Sequence, residues 1–178
     1  MPELISSVNP DRGPACKLTQ ERLKELFTYY PETGVLMPRK VRQGVTQYRE
    51  AGTIRKSNGY RQVCIDRKLH YTHRLAFLYM DGLMPELHVD HINGNKLDNK
   101  FCNLRLATRS VNAQNMRGPM RDNSTGYLGV TKASQKSGFV AKISVNGKRV
   151  YLGTFEAEVE AHEAYLKAKR NFHEGCTI

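Results

Sequence analysis

Apolar residues recur at several different spacings along the chain, and each spacing predicts a different kind of element. Behind Thr19, whose hydroxyl suits a helix cap, Leu23, Leu26, Phe27 and Tyr30 fall on one helical stripe, with Leu18 and Leu23 at the two staple positions. This predicts a helix over Gln20 to Tyr30, closed by the turn Pro31-Glu32-Thr33-Gly34. From Val35 to Thr72 the pattern shortens to β-rich runs: Val35-Leu36-Met37, Gly52-Thr53-Ile54, Tyr60 to Ile65, and Leu69 to Thr72. Asn58-Gly59 is a turn signal, and Tyr60, Gln62 and Cys64 alternate with Arg61, Val63 and Ile65, so a small antiparallel sheet is predicted. Helical spacing returns at Leu75, Leu78 and Tyr79 and stops at Asp81-Gly82.

A short extended run, Leu87-His88-Val89, then delivers Asp90 and His91 at its end. The following stretch, Ile92 to Lys100, is polar, and Gly94 permits a sharp reversal. Leu104-Arg105-Leu106 reads as a return strand, and Thr108 caps a helix carrying Asn112 and Asn115 on one face. The order strand, loop, strand, helix brings Asp90, His91, Asn103 and Asn112 toward one place. Gly118-Pro119 and the polar run Arg121 to Gly126 make a linker. Beyond it Tyr127 to Thr131, Gly138 to Val145 and Lys148 to Gly153 read as strands, the last two joined by Asn146-Gly147. Ala161, Ala164, Tyr165, Ala168 and Phe172 form a helical stripe across Glu156 to His173, small enough to press closely on three strands. Residues 1–15 read as a lead-in without assigned function.

Charge narrows the partners. The 178-residue chain carries a formal net charge of +11, which attracts polyanions through counterion release and makes nucleic acid the first partner expected. Between Arg39 and Arg74 stand Arg39, Lys40, Arg42, Arg49, Arg55, Lys56, Arg61, Arg67, Lys68 and Arg74, opposed only by Glu50 and Asp66, a composition suited to a DNA backbone. No basic amphipathic helix, lipidation signal, leader or apolar run of spanning length is found, so a soluble intracellular protein without membrane attachment is expected. Cys16, Cys64, Cys102 and Cys176 form no C-x-x-C pair, which argues against a zinc knuckle and for reduced, buried small hydrophobes.

The candidate chemistry lies at Asp90-His91, with carboxamides returning twelve residues on at Asn103 and nine further at Asn112. The segment from about His73 to Asn115 resembles the HNH endonuclease family, in the branch of bacteriophages and intron homing enzymes. The resemblance is carried by His73-Arg74-Leu75, Asp90-His91-Ile92-Asn93-Gly94, Asp98-Asn99, Asn103-Leu104-Arg105 and Asn112-Ala113-Gln114-Asn115. Asn112 stands where the family pattern often ends in histidine, which implies the His-Asn-Asn subgroup. The implied roles are Asp90 and Asn112 as oxygen ligands of a divalent ion, Mg2+ or alternatively Mn2+, and His91 as general base. Asn103 is expected to accept from the other imidazole nitrogen and so orient the ring. His73 is a possible support, and Arg74, Arg105 and Asn115 are candidate contacts to DNA.

Residues from about Ser124 to Gly175 resemble the ethylene-response-factor type of DNA-binding domain. The matching pieces are Tyr127-x-Gly129-Val130, Ala141-x-Ile143, Val150-x-Leu152-Gly153-Thr154-Phe155, Glu160-Ala161 and Ala164-Tyr165. The resemblance implies a sheet lying in the major groove, with Arg149 and Tyr151 at DNA-contacting positions. Leu128, Thr131 and Ala133 depart from plant members, which often have arginine there, so base specificity does not carry over. Arg121, Lys132, Lys136, Lys142, Lys148 and Arg149 make the strands basic, whereas the helix opens with Glu156, Glu158, Glu160 and Glu163.

The expected fold is α+β: a ββα-metal HNH core, an N-terminal antiparallel β region, and a C-terminal three-stranded sheet packed on one helix. The expected divisions are 1–15, 16–72, 73–117, a linker 118–124, and 125–175. The expected function is metal-dependent cleavage of double-stranded DNA by a monomer, with nicking the simpler outcome for a single site. A DNA-binding regulator that retains the fold without cleavage, and RNA processing by the same site, are the alternatives.

Overall fold

A computed structural model describes residues 17–40, 49–134 and 137–177. The expected lead-in, Cys16, Arg42 and Lys136 lie outside the described residues. The architecture is α+β with antiparallel sheets throughout.

Thr19 caps α1 (Gln20–Leu26), its hydroxyl accepting from the Arg22 amide at 3.2 Å. The helix stops short of the expected Tyr30. Phe27 is already extended, and β1 (Phe27–Tyr30) pairs antiparallel with β2 (Val35–Pro38). The aromatic and β-branched run Phe27-Thr28-Tyr29-Tyr30 suits a strand better than a helix, and the pairing supplies a partner that local periodicity does not reveal.

A second sheet is ordered β3 (Thr53–Ile54), β4 (Arg61–Ile65), β5 (Lys68–Tyr71). Asp66 and Arg67, both at positive φ, make the tight β4–β5 turn whose twist matches a hairpin. From β5 the chain passes directly into α2 (Thr72–Asp81), ended by Gly82 in the left-handed region with its N–H on Leu78 O. There follow β6 (His88–His91), a 3-10 turn at Phe101–Asn103, β7 (Leu104–Ala107) and α3 (Arg109–Gln114), capped by the Thr108 hydroxyl. Leu23, Tyr29, Leu36, Val63, Ile65, Leu75, Leu78, Val89 and Leu104 belong to one buried cluster. The N-terminal helix and hairpins therefore share a core with the β6–β7 hairpin, at about 1.5–3 kcal/mol for each large side chain fully buried.

The C-terminal sheet has the order β10 (Lys148–Phe155), β9 (Phe139–Val145), β8 (Val130–Lys132). Asn146 and Gly147, both at positive φ, turn β9 into β10 as their side chains predict. Helix α4 (Glu158–Phe172) lays Ala161, Tyr165 and Ala168 against Val130, Ala141 and Ile143, while Phe172, expected on that stripe, is exposed. Lys169 is buried yet satisfied, its ammonium donating to Met116 O. Past α4 the chain returns to β7 and α3, where Gly175 O accepts from Arg105 at 2.9 Å and the Gly175 amide donates to Gln114 Oε1 at 3.0 Å.

The cysteines correct an expectation. Cys64 and Cys102 are exposed rather than buried, Cys64 because it takes the outward position of β4. Among the described residues no helix is long and apolar enough to cross a membrane.

Candidate active site

The β6–β7 register places Asp90 opposite Arg105 and His91 opposite Leu104. Directly opposed side chains in an antiparallel pair are neighbours, and here the charges are opposite. Arg105 donates to Asp90 Oδ2 through Nη2 at 2.8 Å and Nε at 2.9 Å. From the end of α3, Asn115 Nδ2 reaches both carboxylate oxygens at 3.1 Å and His91 O at 2.8 Å. Asp90, 6 % exposed, is thus fixed by partners from a strand and a helix end.

His91 is 3 % exposed and takes the alternate side of the strand. Its ring packs against Tyr60, at 5.8 Å between centroids, and edge-on to His73 at 5.2 Å. The Nε2 atom lies 3.1 Å from Asn99 Oδ1. Burial pushes the His91 pKa below its ordinary value, opposed by the Asn99 hydrogen bond and by Asp90 and Asp98, so the ring is neutral at neutral pH.

The ring's partner is Asn99, where the sequence pointed to Asn103. Asn103 uses both ends of its amide on the loop instead. Its Oδ1 accepts from the Asn93 amide at 2.9 Å, and its Nδ2 donates to Asn93 Oδ1 at 3.0 Å and Asp98 O at 2.8 Å. Those bonds close the segment that carries Asn99. Asn112 is half-buried on α3, and its carboxamide has no hydrogen-bond partner among the described residues.

The other residues divide into two sets. Arg74, Arg105 and Asn115 are engaged within the protein: Arg74 donates to Leu87 O at 3.1 Å and to Pro85 O, bracing the approach to β6. Asn115 Oδ1 additionally accepts from the Thr177 hydroxyl at 2.5 Å. Lys132, Lys142 and Arg149 are exposed on the C-terminal sheet, as is Tyr151, whose hydroxyl pairs with Thr154 Oγ1 at 2.6 Å. Lys142 stands opposite Tyr151, and Arg149 opposite Ser144.

His73 is buried and stacks on Tyr71 at 5.3 Å with rings 11° from parallel. Burial, reinforced by His91 and Arg74, pushes its pKa down to about 3 from an ordinary 6.5. The unfolded chain therefore binds a proton near pH 6.5 that the folded chain refuses until about pH 3. Its contribution to stability is full above pH 6.5 and is lost as pH falls through that window, at a slope approaching about 1.4 kcal/mol per unit. The urea midpoint is expected to drop over this range before most carboxylates titrate, and His73→Phe to flatten part of the drop. An unchanged slope in the variant contradicts this placement.

Sequence reasoning missed Asn99 as a partner of the imidazole, Tyr60 beside the ring, and the return of Gly175 and Thr177 to α3. Asp98-Asn99 was visible as a motif, but its short polar side chains read equally well as loop formers. Among the described residues no group of three or more His, Cys, Asp or Glu side chains is arranged so that it could hold a metal ion.

Residues 70–114, which hold this strand, loop, strand and helix with Asp-His at the first strand's end, match the HNH endonuclease family. This domain is homologous to viral and phage relatives. An uncharacterized HNH endonuclease of Acanthamoeba polyphaga mimivirus is 34% identical over 105 residues, covering 57% of this chain and 53% of the relative. Protein 3.8 of Escherichia phage T7 is 32% identical over 70 residues, covering 39% of this chain and 57% of its own length. The chain thus spans a little over half the length of these curated relatives. The solved structure of the HNH homing endonuclease I-HmuI, concerned with DNA binding and cleavage, matches 52% of this chain and 54% of its own at 27% identity and a TM-score of 0.40. The family match ends before the C-terminal sheet and α4.

Proposed function

We propose that the protein is a metal-dependent endonuclease that hydrolyses phosphodiester bonds of double-stranded DNA at Asp90-His91. The observation that carries this reading is His91. Within the family-matched segment it presents a buried neutral imidazole, held at Nε2, beside a carboxylate and on the strand against which the helix carrying Asn112 packs.

Asp90 and Asn112 would hold the divalent ion. Asp90 Oδ1 takes one hydrogen bond, from Asn115, so an acceptor position remains, and the Asn112 amide oxygen is available. A carboxylate and an amide oxygen are hard ligands suited to Mg2+, with Mn2+ an alternative. Bound there, the ion would supply charge neutralisation at the phosphate and at the departing 3′ oxygen. His91 takes a proton from water, whose oxygen bonds to phosphorus as the P–O3′ bond breaks. A second water protonates the 3′ oxygen, and the imidazolium returns its proton to solvent. Asn103 holds the loop in shape, while Asn115 and Arg105 fix the Asp90 carboxylate. Duplex binding is assigned largely to the C-terminal sheet, in the manner its ethylene-response-factor resemblance implies. Lys142, Arg149 and Tyr151 support this, since they face away from α4.

DNA binding without cleavage is the second reading, favoured by the ion pair in which Arg105 already occupies Asp90 Oδ2. Relaxation of supercoiled plasmid in Mg2+, with a chelator arm, separates the two. Chelator-sensitive nicking supports the endonuclease, and plasmid binding without any strand break overturns it.

A further inference from the structure

We infer that Asn99 is the positioning residue of the site, holding His91 as the Nε2–H tautomer so that Nδ1 is the nitrogen that accepts the proton. The inference deepens the endonuclease reading and rests on it for its catalytic meaning. Its geometric basis is independent of metal and DNA.

The first step is the orientation of the Asn99 amide. Its Nδ2 donates to Leu97 O at 3.4 Å, which turns Oδ1 toward the imidazole. Oδ1 can only accept, so the hydrogen bond of 3.1 Å to His91 Nε2 requires the proton on Nε2. In a neutral ring the other nitrogen is then a free acceptor. Nδ1 has no hydrogen-bond partner among the described residues and is left free to accept a proton.

The second step is the rigidity of Asn99 itself, which is 1 % exposed. The Tyr29 hydroxyl donates to Asn99 O at 2.6 Å, and the Phe101 amide donates to Pro31 O at 3.0 Å. Gly34 lies so close that a Cβ there would stand 2.3 Å from the Asn99 carbonyl carbon. The β1–β2 hairpin thus clasps the backbone of Asn99. Asn103 closes the same loop from its other side through Asp98 O. A side chain held at its amide nitrogen and along its backbone transmits that order to the ring it touches.

Nitrogen-15 NMR of the histidine side chains in the full-length protein, with His91 signals identified by their loss in His91→Ala, tests the inference. The expected spectrum shows a protonated Nε2 and an unprotonated Nδ1; a protonated Nδ1 in the wild type overturns the inference without needing any variant. In Asn99→Ala the two tautomers are expected to mix, whereas Asn99→Asp, which keeps an acceptor at the same place, retains the Nε2–H form. In plasmid cleavage Asn99→Ala should lower kcat by about 10–100-fold with KM nearly unchanged. Loss of kcat with the wild-type tautomer ratio intact also overturns the inference. If the tautomer results hold and no protein, wild type included, cuts plasmid, the endonuclease reading fails and the positioning of His91 stands.

Discussion

Replacing His91 with alanine is expected to lower the rate of plasmid cleavage by roughly 10²–10⁴-fold, the usual contribution of a positioned general base, while affinity for the duplex stays near that of the wild type. The two quantities separate because His91 is buried behind Tyr60 and His73, whereas the exposed cations assigned to DNA lie on the C-terminal sheet. The substitution also empties a ring-sized space, so some loss of stability will accompany it. Two controls distinguish that loss from lost chemistry. An unfolding curve shows whether the variant remains folded at the assay temperature, and added imidazole should restore part of the rate by entering the space the ring leaves. Cleavage within threefold of wild type removes His91 from the role of base. Loss of cleavage and binding together points to damage of the fold instead.

Much of the site was legible because its parts are local. Thr19 and Thr108 cap helices as their hydroxyls predict, Asn146-Gly147 makes its tight turn, and the strand delivering Asp90 and His91 pairs with the return strand at Leu104. What was not legible depends on contacts distant in sequence. The stripe of Leu23, Leu26, Phe27 and Tyr30 fits a helix as well as it fits a helix followed by a strand, and only pairing with Val35–Pro38 decides the matter. The exchange of Asn103 for Asn99 at the imidazole has the same origin. Two carboxamides four positions apart in one polar loop are chemically equivalent, and spacing alone favours neither. The choice is made by the loop's path, which Tyr29 fixes from 70 residues away. Arg105 is a candidate contact to DNA within the Asn103-Leu104-Arg105 motif, yet the register that sets it across from Asp90 gives it a nearer anion. The return of Gly175 and Thr177 to α3 had no sequence signal.

Gly34→Ala is expected to destabilise the protein by about 2–5 kcal/mol, combining left-handed backbone strain with overpacking. Gly34 has a φ of 75°, in a turn where its amide and that of Thr33 donate to Tyr30 O. An added Cβ would stand 2.3 Å from Asn99 C, 2.4 Å from Lys100 N and 2.8 Å from Asn99 O. All three are backbone atoms, so no side-chain rotation relieves the clash, and the hairpin must move off the loop. Gly147 supplies the comparison, because its φ is 78° but nothing lies within 4 Å of its Cβ position. Gly147→Ala should therefore show only the conformational part, about 1–2 kcal/mol. Urea unfolding measures both variants, with a lowered midpoint and an unchanged m-value as the expected form. Equal losses would mean that the β1–β2 turn does not press on Asn99. If the loss at Gly34 is the larger, the folded fraction of that variant should also cleave more slowly, because the hairpin that strains away from the loop is the one that holds Asn99 against His91.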